Sequence, residues 1–483
     1  MSNITRRSFL KQTALATGAA TIAWSARSWG QVAGANSIIR AGVIGFKGRG
    51  QDHLQGFDKQ DGVRVAALCD CDSKVLGAAV QRYKNQGHEV EGYTDLRKLL
   101  ENKNVDVVGI ATPNHWHSLA TIWAVQAGKD VYVEKPISHN VSEGRRAVEF
   151  ARKCNRIVQA GTQSRSSRKG IAAAVEWVKA GNLGKIKVAR GLCYKPRGSI
   201  GKVEGEQPIP AGVDYELWCG PAAKLPLMRK NLHYDWHWVW NTGNGDLGNQ
   251  GIHEMDVARW FLGVSELSPR VLSVGGRLGY VDDGETPNTM VIYHDYPDAP
   301  LIFEVRGLPT KKGTKEMDKY KGAGIGIVIE CEGGHVTVPS YSSATAYDKD
   351  GKEIKKFSGA EDHFANFIKA VKSRKKEDLY GEILEGHLSS ALCHTGNISL
   401  RLGKKAAPGE IRDGIKADKG LAESFGRMSE HLAANGVELA SEQVTLGMPL
   451  KMDPKTERFL DNDAANAMLT RPYRPGFVVP EKA

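Results

Sequence analysis

Lys135 stands where it can present an ammonium group to a bound ligand. It follows the short apolar run Asp130 to Val133 and the carboxylate Glu134, and it precedes Pro136. A charged residue leaving the carboxyl end of a strand in an open parallel sheet points into the ligand crevice. Pro136 fixes φ and removes an N–H, so the strand cannot continue past it. Roughly 85 residues upstream, Gly45-Phe-Lys47-Gly48-Arg49-Gly50 ends another apolar run, Ile38 to Phe46, and opens a polar helical stretch. Small residues at such a turn let backbone N–H groups meet a pyrophosphate at a helix N-terminus. Lys47 occupies the place of the second glycine of G-x-G-x-x-G, and Gly48 beside it can allow the close approach instead. About twenty residues past Gly50, the strand Val63 to Leu68 runs into Cys69-Asp70, the spacing of a carboxylate that accepts hydrogen bonds from an adenosine ribose. An anion there repels a 2′-phosphate, so the dinucleotide expected is NAD rather than NADP. Thr112, Pro113, Asn114 and His117 follow the strand Val105 to Ala111 and face the same crevice. With Glu134 and Lys135 they complete the expected cofactor contacts.

Positioning these groups requires an alternation of strands and helices, and the chain has one. Between Ile38 and Gln159, strands at 38–46, 63–68, 105–111 and 131–133 alternate with helices at 118–127 and 142–153, which argues for a doubly wound parallel sheet over 37–160. After Gly181-Asn-Leu-Gly184 the texture changes to longer strands at 187–194, 271–278, 290–294, 301–306, 326–331 and 335–338. Their hairpin-like spacing predicts a second α/β domain over 161–404 with a large, mostly antiparallel open sheet. Ile252, Met255, Ala258 and Leu262 form an apolar stripe on a helix stopped by Gly263, and Phe364, Phe367, Ile368 and Val371 form another. Residues 405–483 are expected to be an extension wrapped on the body.

At 483 residues, 41% hydrophobic and 25% charged, the chain has the composition of a soluble globular protein. Its formal charge is +11, and setting aside Arg6, Arg7, Lys11 and Arg27 lowers this to +7. The remaining basic residues are scattered, which argues against a nucleic-acid surface. Thr5-Arg6-Arg7-Ser8-Phe9-Leu10-Lys11 followed by a weakly apolar run reads as a twin-arginine export signal over 1–34, with the mature protein expected in the periplasm and free of the membrane. The seven cysteines show no metal spacing and are expected to be small core residues, and no metal is expected.

Gly45 to Gly50, Asp70, Ala111-Thr-Pro-Asn-His115-Trp-His117, Glu134-Lys135-Pro136, Gly161-Thr-Gln-Ser-Arg165 and Gly248-Asn249-Gln-Gly-Ile-His253-Glu-Met-Asp256 together resemble the glucose-fructose oxidoreductase and inositol dehydrogenase family (Gfo/Idh/MocA). The resemblance covers most of 38–402. It implies a Rossmann domain, NAD, hydride transfer at a ring carbinol carbon of a sugar, polyol or glycoside, and a homo-oligomer. It also implies that Lys135 works with an Asp-x-x-x-His pair, of which His253 is present while Asn249 replaces the aspartate. His253 then serves as the base, its imidazole suited to taking the hydroxyl proton that leaves with the hydride, while Lys135 stabilises the oxygen. Asp246 or Asp256 would orient it; otherwise His253 is a helix-start histidine bonded to backbone. Arg165, Tyr194, Lys195, Trp236, His237 and Asp246 are candidate sugar contacts, with ordinary packing at a domain interface as the alternative for the aromatic ones. Two other classes remain open: a redox-neutral glycosidase or lyase acting through transient ring oxidation, and a noncatalytic sugar-binding protein.

Overall fold

The structure, a computed structural model, describes residues 38–483. The expected export signal lies outside the described residues. The first sheet contains Ile39–Ile44 (β1), Val63–Cys69 (β2), Glu91–Tyr93 (β3), Val107–Ile110 (β4), Asp130–Val133 (β5) and Val158–Ala160 (β6). All its pairings are parallel and the order is β3-β2-β1-β4-β5-β6. The order reverses between β1 and β4, so the turns after β1, β4 and β5 meet at one crevice. Strands buried on both faces read as continuous apolar runs, which is why this half was legible.

The second sheet has twelve strands: Ile186–Tyr194 (β7), Arg270–Gly276 (β8), Thr289–His294 (β9), Leu301–Arg306 (β10), Ile325–Cys331 (β11), Gly334–Val338 (β12), Ser343–Asp348 (β13), Glu353–Ser358 (β14), Lys404–Ala406 (β15), Val444–Leu446 (β16), Leu450–Asp453 (β17) and Arg458–Phe459 (β18). Its main path runs β14-β13-β12-β11-β7-β10-β9-β8-β16-β15. The pairing is antiparallel except between β7 and β10. One face packs on helix Gly251–Leu262 and on helix Ile383–Arg401, which is buried along nearly its whole length. Gly263 ends the former helix at φ 72°, the left-handed conformation that favours glycine at this position.

Two placements depart from the expected division. Helix His363–Ser373 packs on the first sheet through Phe364, Phe367 and Ile368, against Phe57 and Tyr132. The C-terminal segment is also more than a wrapping: β16 and β17 pair with β8, and helices Pro408–Ile415 and Lys419–Ala434 cover the outer face of β8, β9 and β10. Its last residues return to the first domain, where Phe477 packs on Trp116 and Trp123. Among the described residues no helix is long and apolar enough to cross a membrane.

Candidate active site

A cleft of about 390 Å³ opens at the crevice between β1 and β4. Gly45 turns the chain out of β1 at φ 75°, with Thr112 backbone 3.0 Å from where a Cβ would sit. Gly50 begins helix Gly50–Asp58, and a Cβ there would lie 2.0 Å from the Gly45 carbonyl oxygen. Both positions therefore demand glycine. Gly48 differs: a Cβ would meet nothing within 4 Å, and the residue borders the cleft. That open space above a glycine, at a helix start, is what a pyrophosphate needs. Asp70 also borders the cleft and accepts the N–H groups of Phe46 at 3.2 Å and Asp72 at 2.9 Å. Burial pushes its carboxyl up, while these N–H groups and the nearby Lys47 oppose the shift. The loop and Asp70 thus fit a dinucleotide, and Lys47 and Arg49 border the same space.

Deeper in the cleft, Glu134 is buried and accepts Arg49 Nε at 2.9 Å, with His53 Nε2 at 3.2 Å and Gln163 Nε2 at 3.3 Å. Burial alone would raise its pKa, but the His53 hydrogen bond and the Arg49 charge hold it well below the usual carboxylate range. Gly161 leaves room for it, since a Cβ there would fall 2.8 Å from Glu134 Oε2. The Lys135 ammonium donates to the main-chain oxygen of Asn249 at 2.9 Å, and burial lowers its pKa while Glu134 opposes. Asn249 thus meets Lys135 through its backbone, a contact its side-chain type could not announce. His117 is held between Pro136 O at 2.6 Å and Thr112 O at 2.7 Å, tying together the turns after β4 and β5. Pro113 borders the cleft with Asn114, whose amide donates to Asn244 at 3.0 Å.

His253 lies just behind this wall, buried, its ring 4.9 Å from that of Tyr341. Its Nδ1 has no hydrogen-bond partner among the described residues. Burial, then the Lys135 charge, push its pKa well below the ordinary value, so the imidazole is neutral. Neither expected orienting carboxylate reaches it. Asp246 is taken by Arg197 at 2.7 and 2.9 Å, and Asp256 by Arg165 at 2.8 Å and Ser389 Oγ at 2.7 Å.

Three expected sugar contacts are corrected. Arg165 is buried in ion pairs with Asp256 and Glu385 and stacks over Trp260. Tyr194 is buried on the other face of β7, where its hydroxyl donates to Glu304 at 2.6 Å. Asp246 does not border the cleft; it anchors Arg197, which does. A buried charged or phenolic group needs a partner, and for these the fold supplied one away from the cleft. Lys195, Trp236 and His237 do line it. Lys195 Nζ donates to Gln250 Oε1 at 2.7 Å. His237 stacks on Trp236 at 3.6 Å between centroids, contacts Tyr234 O at 2.6 Å and is held neutral by burial, its pKa about 3. Cys71, expected in the core, is only half-buried and borders the cleft with Cys69.

Sequence reasoning missed Arg197 and, of the segment 209–238, the part before its His233 to Trp238 end. Arg197 lies two residues past Lys195 at the end of a strand, and that alternation would have put both on one side. The segment closes the cleft opposite the first sheet. Asp214 N donates to Cys71 O and Ser73 N to Gly212 O, both at 2.9 Å; Trp116 Nε1 donates to Leu217 O at 3.0 Å; and His233 Nε2 lies 3.2 Å from Asp72 Oδ2. Trp218, Leu227, Leu232 and Trp236 give it a small core of its own. Its density of tryptophans was the available signal.

Residues 39–162 match the oxidoreductase family with NAD-binding Rossmann fold, and residues 184–409 match the C-terminal alpha/beta domain of the same oxidoreductases, together more than half of the chain. Among curated proteins, a glycosyl hydrolase family 109 protein of Shewanella sp. (strain ANA-3) is 35% identical over 163 residues, 30% of this chain and 36% of its own length. The chain therefore spans about a third of that relative. The WlbA dehydrogenase of Bordetella pertussis, solved with NADH and UDP-GlcNAcA, is 19% identical with a TM-score of 0.54, covering 74% of this chain and 94% of that one. A levoglucosan dehydrogenase solved with NADH and levoglucosan is 17% identical with a TM-score of 0.55, covering 74% and 95%. These two likenesses concern the fold.

Proposed function

We propose that this chain, which belongs to the Gfo/Idh/MocA oxidoreductase family with its NAD-binding Rossmann fold, oxidises a ring hydroxyl of a sugar, polyol or glycoside. The observation that carries this is Lys135 in the wall of a cleft that also holds the glycine loop and Asp70, with the neutral His253 buried just behind that wall. NAD, when bound, supplies the hydride acceptor. Gly45, Gly48, Gly50, Lys47 and Asp70 hold it; Lys135 donates a hydrogen bond to the reacting oxygen, and His253 takes the hydroxyl proton. The histidine's burial keeps it in the neutral form, with Nδ1 free of any hydrogen-bond partner among the described residues.

Retention of the cofactor belongs to the same reading. The segment 209–238 bonds to the first domain at Cys71, Asp72, Ser73 and Trp116, on the side where Asp70 would hold the ribose, so release requires breaking several contacts at once. A protein exported folded by the twin-arginine route would carry its nucleotide to a compartment without a replenished pool, and its cycle would be redox-balanced. The named likeness to glycosyl hydrolase family 109 proteins favours a second reading, in which transient ring oxidation leads to glycosidic cleavage without net NADH.

The test is to denature the purified protein and assay released NAD(H), then to record nicotinamide absorbance on adding sugars and aryl glycosides. NAD(H) is expected in the supernatant, and Lys135→Met and His253→Ala should each lower turnover about 10²–10⁴-fold while retaining nucleotide. Substantial turnover in both variants refutes the catalytic assignment. Bound nucleotide with no turnover of any sugar selects the binding-protein reading, and aglycone release without net NADH selects the glycosidic one.

A further inference from the structure

The end of the chain crosses the joint between the roof segment 209–238 and the first domain. From Thr470 to Ala483 it forms neither helix nor strand, so side chains rather than a backbone ladder hold it. Its root is fixed: Leu469 is buried in the core of the second domain, and the Leu469 carbonyl oxygen accepts Ser142 N at 2.9 Å. Pro472 and Pro475 stiffen the path that follows and reduce the entropy lost on seating it. Beyond the root the segment grips both sides of the joint. On the roof side Arg474 is ion-paired with Glu216, and its Nη1 donates to the Glu216 and Gly220 carbonyl oxygens, both at 3.1 Å. Arg471 Nη2, just past the roof, donates to Asn241 O at 2.7 Å and Asn241 Oδ1 at 2.9 Å. On the first-domain side Tyr473 Oη donates to Glu143 Oε1 at 3.1 Å, on helix Val141–Lys153. Phe477 packs on Trp116 and Trp123, with the Arg97 guanidinium over its ring.

Trp116 is where this grip meets the cleft. Its indole lines the cleft, donates to Leu217 O at 3.0 Å and Trp218 O at 3.2 Å, and carries Phe477 edge-on behind it, 5.7 Å between centroids. A Cβ at Gly220 would fall 2.2 Å from the same indole, so the roof already lies as close to Trp116 as its backbone allows. Glu216 and Gly220, the residues Arg474 pins, flank Leu217 and Trp218, which line the cleft together with Leu96 and Trp116. This is the end where Asp70 sits: Asp70 N donates to Tyr93 O at 3.1 Å, and Asp214 N to Cys71 O at 2.9 Å. We propose that residues 471–479 are a strap that governs nucleotide exchange. Seated, the strap holds Leu217 and Trp218 down over the adenosine half of a bound NAD, and it must lift before the nucleotide can leave. This deepens the retention proposed above and rests on the NAD-binding reading of the cleft. A chain end can detach while the domain it leaves stays folded, and the rooting of Leu469 keeps the strap at hand to reseat. From inside the cleft, residues 216–220 are held to the first domain by His115 and Trp116; the Arg474 fork closes them from outside with charge-assisted bonds.

Release of nucleotide from the purified, loaded protein tests this without any turnover. Bound NAD(H) would be exchanged against an excess of isotopically labelled NAD, and the rate followed for the unaltered protein, Arg474→Ala, Phe477→Ala and a chain ending at Thr470. Loss of the charge-assisted contacts predicts release about 10–100-fold faster in Arg474→Ala. Phe477→Ala should act in the same direction, and the shortened chain should release fastest. Glu457→Gln, which loosens the C-terminal segment upstream of the strap, should lower the thermal midpoint and leave the release rate unchanged. Release within threefold of the unaltered protein in both Arg474→Ala and Phe477→Ala overturns the proposal. Equal acceleration in Glu457→Gln overturns it too, since the tail would then be ordinary packing, and so does an unaltered protein that purifies without nucleotide. If the shortened chain fails to fold, the two point variants decide. Strap-dependent release without reduction of the bound nucleotide by any sugar would count against the oxidoreductase reading and leave this one standing; sugar-dependent reduction with unaltered release rates would do the reverse.

Discussion

Asp70→Ser should convert a strong preference for NAD into near indifference. The Asp70 carboxylate is fixed by two backbone N–H groups and borders the cleft just past the end of β2. Two consequences follow for the cofactor. With NAD, the ribose hydroxyls donate to an anionic acceptor, a contact worth about 1.5–3 kcal/mol, so its loss should weaken NAD roughly 10–150-fold. With NADP, a 2′-phosphate would stand about 4 Å from a carboxylate, where like unit charges cost on the order of 4 kcal/mol at an effective dielectric constant near 20. Serine removes that repulsion, and Lys47, which already acts on Asp70 through its charge, becomes free to attract the phosphate. NADP affinity should therefore rise as NAD affinity falls, and their ratio should drop by at least about 100-fold. The assay is exchange of the bound nucleotide for NAD or NADP, followed by analysis of the retained nucleotide and competition between the two. A variant whose NAD affinity changes less than threefold, with NADP still excluded, would show that Asp70 does not meet the ribose.

Arg165→Met tests the correction of that residue from sugar contact to scaffold. It leaves Asp256 buried with Ser389 and a 3.8 Å approach from Arg259, and the expected cost is about 3–5 kcal/mol of stability. The thermal midpoint should fall while KM for the preferred sugar stays put, and a large rise in KM at an unchanged midpoint would restore the binding role. Glu457, on the C-terminal segment, accepts His387 Nε2 at 2.9 Å and Arg145 Nε at 3.1 Å; against burial, which raises it, these partners lower its carboxyl to about 2. Its folded pKa lies below the unfolded one, so its stabilisation is present above about pH 4.5 and is lost as pH falls toward 2, roughly 2–3 kcal/mol in all. Glu457→Gln should lower the thermal midpoint at pH 7 and matter progressively less below pH 4.5; a deficit that is constant across that range would refute the linkage.

The chain's local patterns were sufficient for the parallel sheet, the glycine turn, Asp70, Lys135 and the antiparallel texture of the second domain. Each is written in short-range chemistry: strands buried on both faces as apolar runs, a turn that excludes Cβ at Gly45 and Gly50, a proline that stops a strand. The spacing from turn to carboxylate also survives in sequence because a strand–helix–strand unit has a nearly constant length. What went unread depended on partners far away in the chain. Arg165, Tyr194 and Asp246 have the residue types of a sugar site, and only the positions of Asp256, Glu304 and Arg197 show that their charges or hydroxyls are already engaged. The C-terminal strands are three residues long or little more and pair with β8, over 150 residues earlier in the chain, so no periodicity could announce them. The roof over the cleft, the backbone of Asn249 under Lys135 and the hold of Gln250 on Lys195 likewise exist only once both domains are folded. A residue's type states what it can bind; burial and the competing partners supplied by the fold decide what is left for a ligand.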